Sequence, residues 1–311
     1  MTVDFLITGA SGFVGSRVAA VARRQPGTRV RHLSRRTPPG AGPGEFVRGD
    51  LGDPLSLRGV CAGADVLVHC AARIGGDPAT VEAVNDLGTR ALVEEAVRAG
   101  VRRIVYVSTA AVYGRGPFRG VRPGEVPIAP ASATSRTRAA AERHVLDAGG
   151  LVLRPHLVYG EGDQWVVPGV AWLLGELSAT TLTGCEALLS MIDVDTLGRA
   201  AVAAALSPAH DGGVHHVNHP EPVSVPELVG AVRTVLDEPG GGAAVDVSTA
   251  LDRAAGKPLA LHHLGMLTVD HWFVDDAFWK GLDCSPGEGF TAGFSRAAPW
   301  YRSFLQGRKA S

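Results

Sequence analysis

Short apolar runs alternate with stretches of helical character through the first half of the chain. Residues 3–8, 66–70, 103–108 and 151–154 are strand-length apolar runs rich in Val, Ile and Leu, and 28–33 reads as a further strand. Their apolar continuity predicts strands buried on both faces, as in a parallel sheet. Residues 16–24 and 79–99 have helical spacing, and 133–148 has helix-forming composition. These helices stop at Gln25-Pro26-Gly27, at Gly100 and at Gly149-Gly150. Residues 34–44 read as a Pro/Gly-rich loop, and Pro155 stops the strand at 151–154. The alternation predicts an α/β fold, a doubly wound parallel sheet with helices on both faces. Beyond Gly160 the pattern loosens. Residues 170–177, 194–206 and 225–236 look helical, 239–243 reads as a flexible break, and 272–305 is a tail rich in aromatics, Gly and Pro.

Composition narrows the classes. Net charge is −1, so no basic field points to nucleic acid. No run reaches about 18 uninterrupted apolar residues, so a membrane span is not expected. The N-terminus runs straight into a strand with no signal-peptide pattern. Cys61, Cys70, Cys185 and Cys284 lie far apart, form no metal-type spacing and suit a reducing cytoplasm. His215, His216 and His219 fit no standard zinc spacing, so no metal is expected. His262-His263 reads as an exposed pair.

The first functional signal is Thr8-Gly9-Ala10-Ser11-Gly12-Phe13-Val14-Gly15, set between a strand and a helix. Glycines there permit a tight turn and close approach to a pyrophosphate, and the helix amides face the phosphates. Residues 1–160 are therefore read as a Rossmann dinucleotide-binding domain. Residues 161–311 are read mainly as a smaller substrate-binding cap, with a segment near 187–218 returning to the sheet. About 20 residues on, NAD-binding folds usually place an acid. Here that place holds Ser34-Arg35-Arg36. Two guanidinium groups and a hydroxyl suit a 2′-phosphate, which favours NADP(H). The other reading is a solvated arginine loop.

These residues resemble the extended, epimerase-like branch of the short-chain dehydrogenase/reductase superfamily, over nearly the whole chain. The glycine loop matches, as does Gly49-Asp50-Leu51 at the adenine. Cys70-Ala71-Ala72 resembles the strand end beneath the nicotinamide ribose. Asn85 matches the family's helix asparagine. Val107-Ser108-Thr109 matches the catalytic-hydroxyl segment, with Thr109 as the catalytic Ser/Thr. Arg154-Pro155-His156-Leu157-Val158-Tyr159-Gly160 matches the segment against the nicotinamide. The resemblance implies cofactor contacts from Gly9, Ser11, Gly12, Phe13, Val14, Gly15, Ser34, Arg35, Arg36, Asp50, Leu51, Cys70, Ala71, Ala72, Asn85, Val107, Arg138, Pro155, His156 and Val158. It implies a substrate wall from Arg73, Ile74, Tyr113, Tyr159, Trp165, Val166 and Met191, with the Trp272-Phe273 pair as a further candidate.

One departure dominates. The family's catalytic helix carries Tyr-x-x-x-Lys, followed four residues later by Glu. Glu142 anchors the alignment, which puts Arg138 at the lysine position and Thr134 at the tyrosine position. No tyrosine in the chain is followed four residues later by lysine, and Lys257, Lys280 and Lys309 all lie near the C-terminus. Thr109, Ser108 and Thr134 are then the candidate catalytic side chains. A missing general acid forfeits about 10²–10⁴-fold, or roughly 3–5 kcal/mol of barrier lowering. A ketone flanked by a phenol can supply that hydrogen bond itself. This departure resembles atypical ketoreductases of aromatic polyketide antibiotic biosynthesis. It implies NADPH-dependent reduction of an angucyclinone-like ketone in the cytoplasm, by a possible homodimer. The alternatives are a non-catalytic NADP-binding sensor or scaffold, and a nucleotide-sugar epimerase or dehydratase.

Overall fold

A computed structural model describes residues 2–36, 45–236 and 242–309. Five parallel strands open the central sheet: β1 (Val3–Thr8), β2 (Thr28–Ser34), β3 (Phe46–Arg48), β4 (Val66–His69) and β5 (Arg103–Val107). Leu151–Arg154 and Gly213–His216 complete it. The order is Gly213–His216, Leu151–Arg154, β5, β4, β1, β2, β3, with every neighbour parallel. The chain runs outward from β1 to β3, then crosses back to β4. That reversal opens a crevice at the carboxyl ends of β1 and β4, where such sheets bind ligands.

Apolar runs bury both faces because successive side chains point to opposite sides. Phe5, Ile7, Val66, Val68, Val105, Val107, Leu151 and Leu153 pack on one face, with α1 (Phe13–Arg24) and the helix Val194–Leu206. Leu6, Leu67, Ile104, Tyr106 and Val152 pack on the other, with Leu92, Val93 and Ala96 of Gly88–Arg98 and Ala141 and Val145 of Ala133–Asp147. The sequence predicts one helix over 79–99. The structure divides it into Pro78–Glu82, a π-turn at Ala83–Leu87, and Gly88–Arg98. The wide turn inserts where Gly88 passes the backbone of Leu51, so closely that a Cβ would stand 2.2 Å from its carbonyl oxygen.

The cap is built from short pieces. Phe118–Val121, His271–Phe273, Leu188–Leu189 and Val223–Ser224 form a four-stranded sheet. Leu157–Tyr159 pairs with Met191–Asp193, and Ala179–Thr183 with Ala243–Asp246. Val166–Glu176, Val225–Arg233, Val247–Ala254 and Pro258–Leu267 are its helices. Met191–Asp193 and Val194–Leu206 lead back to the central sheet through Gly213–His216. Phe118–Val121 goes the other way, from the first half into the cap sheet.

The tail, rich in aromatics, Gly and Pro, ends in a twenty-residue helix, Phe290–Lys309, with Pro299 inside. Phe294, Ala297, Ala298 and Tyr301 bury one face of it in the cap core, a spacing of i, i+3, i+4, i+7. Most of the 34–44 loop, residues 37–44, lies outside the described residues, as do 239–241 of the expected break at 239–243. Ala243 starts a strand.

Candidate functional site

The crevice is a cleft of about 2220 Å³. Ligand pockets usually run about 300–1,000 Å³, so this one has room for a dinucleotide and a second molecule.

The glycine loop lies at its centre. Gly12 N–H donates to Gly9 O at 2.8 Å, closing the turn. Gly9 has φ +67°, and a Cβ there would stand 2.7 Å from the backbone nitrogen of Ala71. A Cβ on Gly15 would stand 2.2 Å from Gly9 O. Only glycine allows β1, the β4 end and α1 to approach this closely. No side chain caps the amide end of α1, and its first turn holds no acid, so it faces the cleft ready for an anion. Ser11, Gly12, Phe13 and Val14 line the cleft there. These features fit a dinucleotide pyrophosphate.

At one end the lining includes Ser34, Arg35, Arg36, Asp50 and Leu51. Asp50 Oδ1 accepts from Gly52 N–H at 2.9 Å. Ser34 Oγ donates to Arg36 O at 2.7 Å, and both arginine side chains are exposed.

The opposite end collects the candidate chemistry. Cys70, Ala71, Ala72, Val107, Ser108, Thr109, Arg138, Pro155, His156 and Val158 all line it. Ala110 N–H donates to Pro155 O at 2.8 Å, which ties the Thr109 segment to the His156 segment. Thr109 accepts from Ala111 N–H at 3.1 Å, a bond that uses a lone pair and leaves its proton uncommitted. Ser108 differs: its hydroxyl donates to Glu142 at 2.5 Å. Glu142 is held by Arg154, which also donates to Tyr113 OH at 2.6 Å. Arg138 donates to Val107 O and lies 5.4 Å over the Tyr106 ring.

Burial sets the protonation states here. His69, bonded to Thr8 at 2.6 Å and Thr89 at 2.9 Å, is pushed down to about 3 by burial and then by Arg138. His156 is pushed down to about 3 by burial and then by His271, on which it stacks at 5.5 Å. Both are neutral imidazoles at physiological pH. Burial pushes the Cys70 thiol up to about 12, so it is not a thiolate.

Several sequence expectations move. Tyr113 is buried among Phe118, Phe273 and His216, its hydroxyl spent on Arg154 and His216, and it does not line the cleft. Tyr159 and Met191 belong to the cap core instead; Tyr159 packs on Phe290. Trp272 crosses Gly120 and Phe273 joins the Tyr113 cluster, so neither reaches the cleft. Asn85 sits in the π-turn and spends its amide on Arg73 N–H, Arg73 O and Thr137, which makes it a support for the cleft rim and no part of its lining. Thr134 is also off the lining, accepting from Gly75 N–H at 3.2 Å. Arg73, Ile74, Trp165 and Val166 do line it.

The sequence reading missed the far wall. Pro168 and Trp172 come from the helix Val166–Glu176, and Leu259, His263 and Met266 from Pro258–Leu267. His263 is half-buried, 5.7 Å from Trp172 and against Gly169. The apolar positions of 258–267 were the available signal, hidden by two histidines in the middle of the run. Among the described residues lining the cleft there is no tyrosine and no lysine.

Known proteins agree with this geometry at the level of fold and family. The profile of the NAD dependent epimerase/dehydratase family matches residues 5–218. A 2-alkyl-3-oxoalkanoate reductase of Stenotrophomonas maltophilia is 30% identical over 305 residues, covering 87% of this chain and 91% of its own. A dTDP-glucose 4,6-dehydratase of Streptomyces antibioticus is 35% identical over 158 residues, 45% of this chain and 47% of that protein. A solved short-chain dehydrogenase/reductase superfamily protein from Agrobacterium tumefaciens with bound NAD superposes with TM-score 0.77 at 22% identity, over 99% of this chain and 100% of that one. With the glycine loop, the strand order and a profile match across most of the chain, this protein belongs to the NAD dependent epimerase/dehydratase family, on a Rossmann nicotinamide-cofactor fold.

Proposed function

We propose that this protein is an NADPH-dependent ketoreductase. Its substrate is a polycyclic aromatic ketone of the angucyclinone type, flanked by a phenol and met in antibiotic biosynthesis. The carrying observation is the lining of the cleft. It keeps the hydroxyl of Thr109 at the nicotinamide end, offers no phenol or ammonium among the described residues, and has an apolar far wall. The reductase named above, similar over most of both chains, adds support for a ketone as the reacting group.

The cofactor, when bound, supplies the hydride. Gly9, Gly12 and Gly15 leave room for its pyrophosphate, and Arg35 and Arg36 suit the 2′-phosphate of NADPH. Thr109 has an uncommitted proton for a developing alkoxide. Ser108 already donates its hydrogen bond to Glu142, so it can accept a bond but is not the second donor. A phenol beside the reacting carbonyl fills that role from the substrate side. Trp165, Val166, Pro168, Trp172 and Met266 suit a flat apolar ring system.

Epimerisation or dehydration of a nucleotide sugar is the weaker reading. No arginine or lysine of the cap stands among the described lining residues, and of the lining arginines only Arg73, on the rim beside Ile74, is among the substrate-wall candidates. A binding-only sensor has no need of the aromatic wall.

The test is a single turnover with NADPH deuterated at the transferable C4 position, offered phenol-flanked polycyclic ketones and read by mass spectrometry. Deuterium on the new carbinol carbon is the expected result. Saturable binding of both ligands with no label in any product favours the sensor. Thr109→Val should keep measurable activity, and masking the phenol should abolish it.

A further inference from the structure

Counting back from Glu142, the resemblance puts Thr134 at the family's tyrosine position, yet its hydroxyl is turned to another use. Oγ1 accepts from Gly75 N–H at 3.2 Å. Gly75 lies in the strap of residues 71–77 that leaves β4 along the rim of the cleft. The strap is bent by two consecutive glycines, Gly75 at φ +67° and Gly76 at φ +94°. Its base is fixed by Asn85, which binds both Arg73 N–H at 2.7 Å and Arg73 O at 2.9 Å. Thr137, one helical turn from Thr134, holds Asn85 at 3.1 Å. Two hydroxyls of the helix Ala133–Asp147 therefore support the strap, one directly and one through Asn85. Between the two attachment points stands Ile74, a 56% exposed side chain that lines the cleft. An exposed isoleucine held at the mouth of a binding cleft by polar contacts on both sides is placed for a ligand.

We propose that Thr134 is a positioning residue: it latches the strap to the catalytic helix and so sets the wall that Ile74 presents to the substrate. The position the family uses for proton transfer here holds a loop. The latch is a single, solvent-exposed bond between neutral groups. Such a bond contributes about 1 kcal/mol, so its loss opens the strap roughly fivefold more often. Ligand affinity falls with the fraction of protein in the competent form, which gives an increase of about fivefold or less in KM. The role of Ile74 toward a ketone rests on the ketoreductase reading. The attachment of the strap does not.

Two readouts separate these parts. The first is limited trypsin digestion of the full-length protein without substrate, following cleavage after Arg73 by mass spectrometry. Proteolysis at a transiently opened segment tracks its opening. Thr134→Val should be cut there about 3- to 5-fold faster than wild type, with cuts elsewhere unchanged, and Thr134→Ser should restore the wild-type rate. Equal rates at Arg73 in all three proteins overturn the latch. The second readout is steady-state kinetics with a phenol-flanked ketone. Thr134→Val should raise KM for the ketone, leave kcat within about twofold, and leave KM for NADPH unchanged; Ile74→Ala should do the same. A fall in kcat at unchanged KM overturns the positioning role and makes Thr134 a proton donor. A wild-type protein that turns over no ketone defeats the ketoreductase reading, while the digestion still decides the latch.

Discussion

Replacing Glu142 by alanine should destabilise the protein more than any exposed change near the cleft. Glu142 and Arg154 have side chains only 3% and 6% exposed and form a two-point pair, with Nε to Oε1 at 2.9 Å and Nη2 to Oε2 at 2.5 Å. Without the carboxylate, Arg154 retains Tyr113 OH, a neutral acceptor that already donates to His216 at 2.7 Å. An uncompensated buried cation costs about 3–5 kcal/mol. Unfolding entropy of roughly 2.1 cal/mol/K per residue, over 311 residues, converts that to a melting point lower by about 5–8 °C. Ser108 loses its acceptor as well, so the loop at the nicotinamide end should loosen and NADPH bind more weakly. The check is a thermal melt by circular dichroism with the double variant Glu142→Leu, Arg154→Met alongside. Apolar replacement of both partners removes the stranded charge and should recover at least half of the loss. A single variant within about 2 °C of wild type, or a double variant melting below the single, would falsify the reasoning.

Other consequences are open to direct measurement. Arg35→Ala combined with Arg36→Ala should weaken NADPH by about 10²–10⁴-fold, since bonds to charged groups contribute roughly 1.5–3 kcal/mol each, and leave NADH unchanged; equal losses for both cofactors by fluorescence titration would exclude a 2′-phosphate site. Gly9→Ala puts a Cβ 2.7 Å from the Ala71 nitrogen at φ +67°, so titration should detect no cofactor binding even where the variant folds. Stability should fall on acidification. His69 and His156 are held at about 3 and His216 at about 4, chiefly by burial, while unfolded histidine titrates near 6.5. Depressed values mean the unfolded chain binds more protons. Stability is therefore complete above about pH 6.5 and falls by roughly 1.4 kcal/mol per pH unit for each histidine as pH drops toward 4. Urea unfolding at pH 7.5, 6.5 and 5.5 tests this, and equal stability at pH 6.5 and 5.5 would contradict it.

The sequence by itself determined the cofactor half. Val3–Thr8, Val194–Leu206 and Leu151–Arg154 are legible because a parallel sheet needs unbroken apolar runs, and amphipathic helices need their period. The glycine loop is legible because only glycine tolerates the approach of Gly9 to Ala71 and of Gly15 to Gly9. That no tyrosine is followed four residues later by lysine is a matter of residue identity and needs no coordinates. Tertiary structure decided the rest. Tyr113, Tyr159 and Met191 are chemically suited to a substrate wall, but their side chains leave on the wrong side of the strand or turn, and nothing local records which side is inside. Thr134 is a candidate hydroxyl by its place in the sequence, yet its partner Gly75 lies 59 residues away. Trp172 meets His263 only where two helices distant in sequence cross at Gly169. Local pattern specifies which elements form. Which faces meet is set by long-range packing, and the chemistry of the far end of the cleft lies in those meetings.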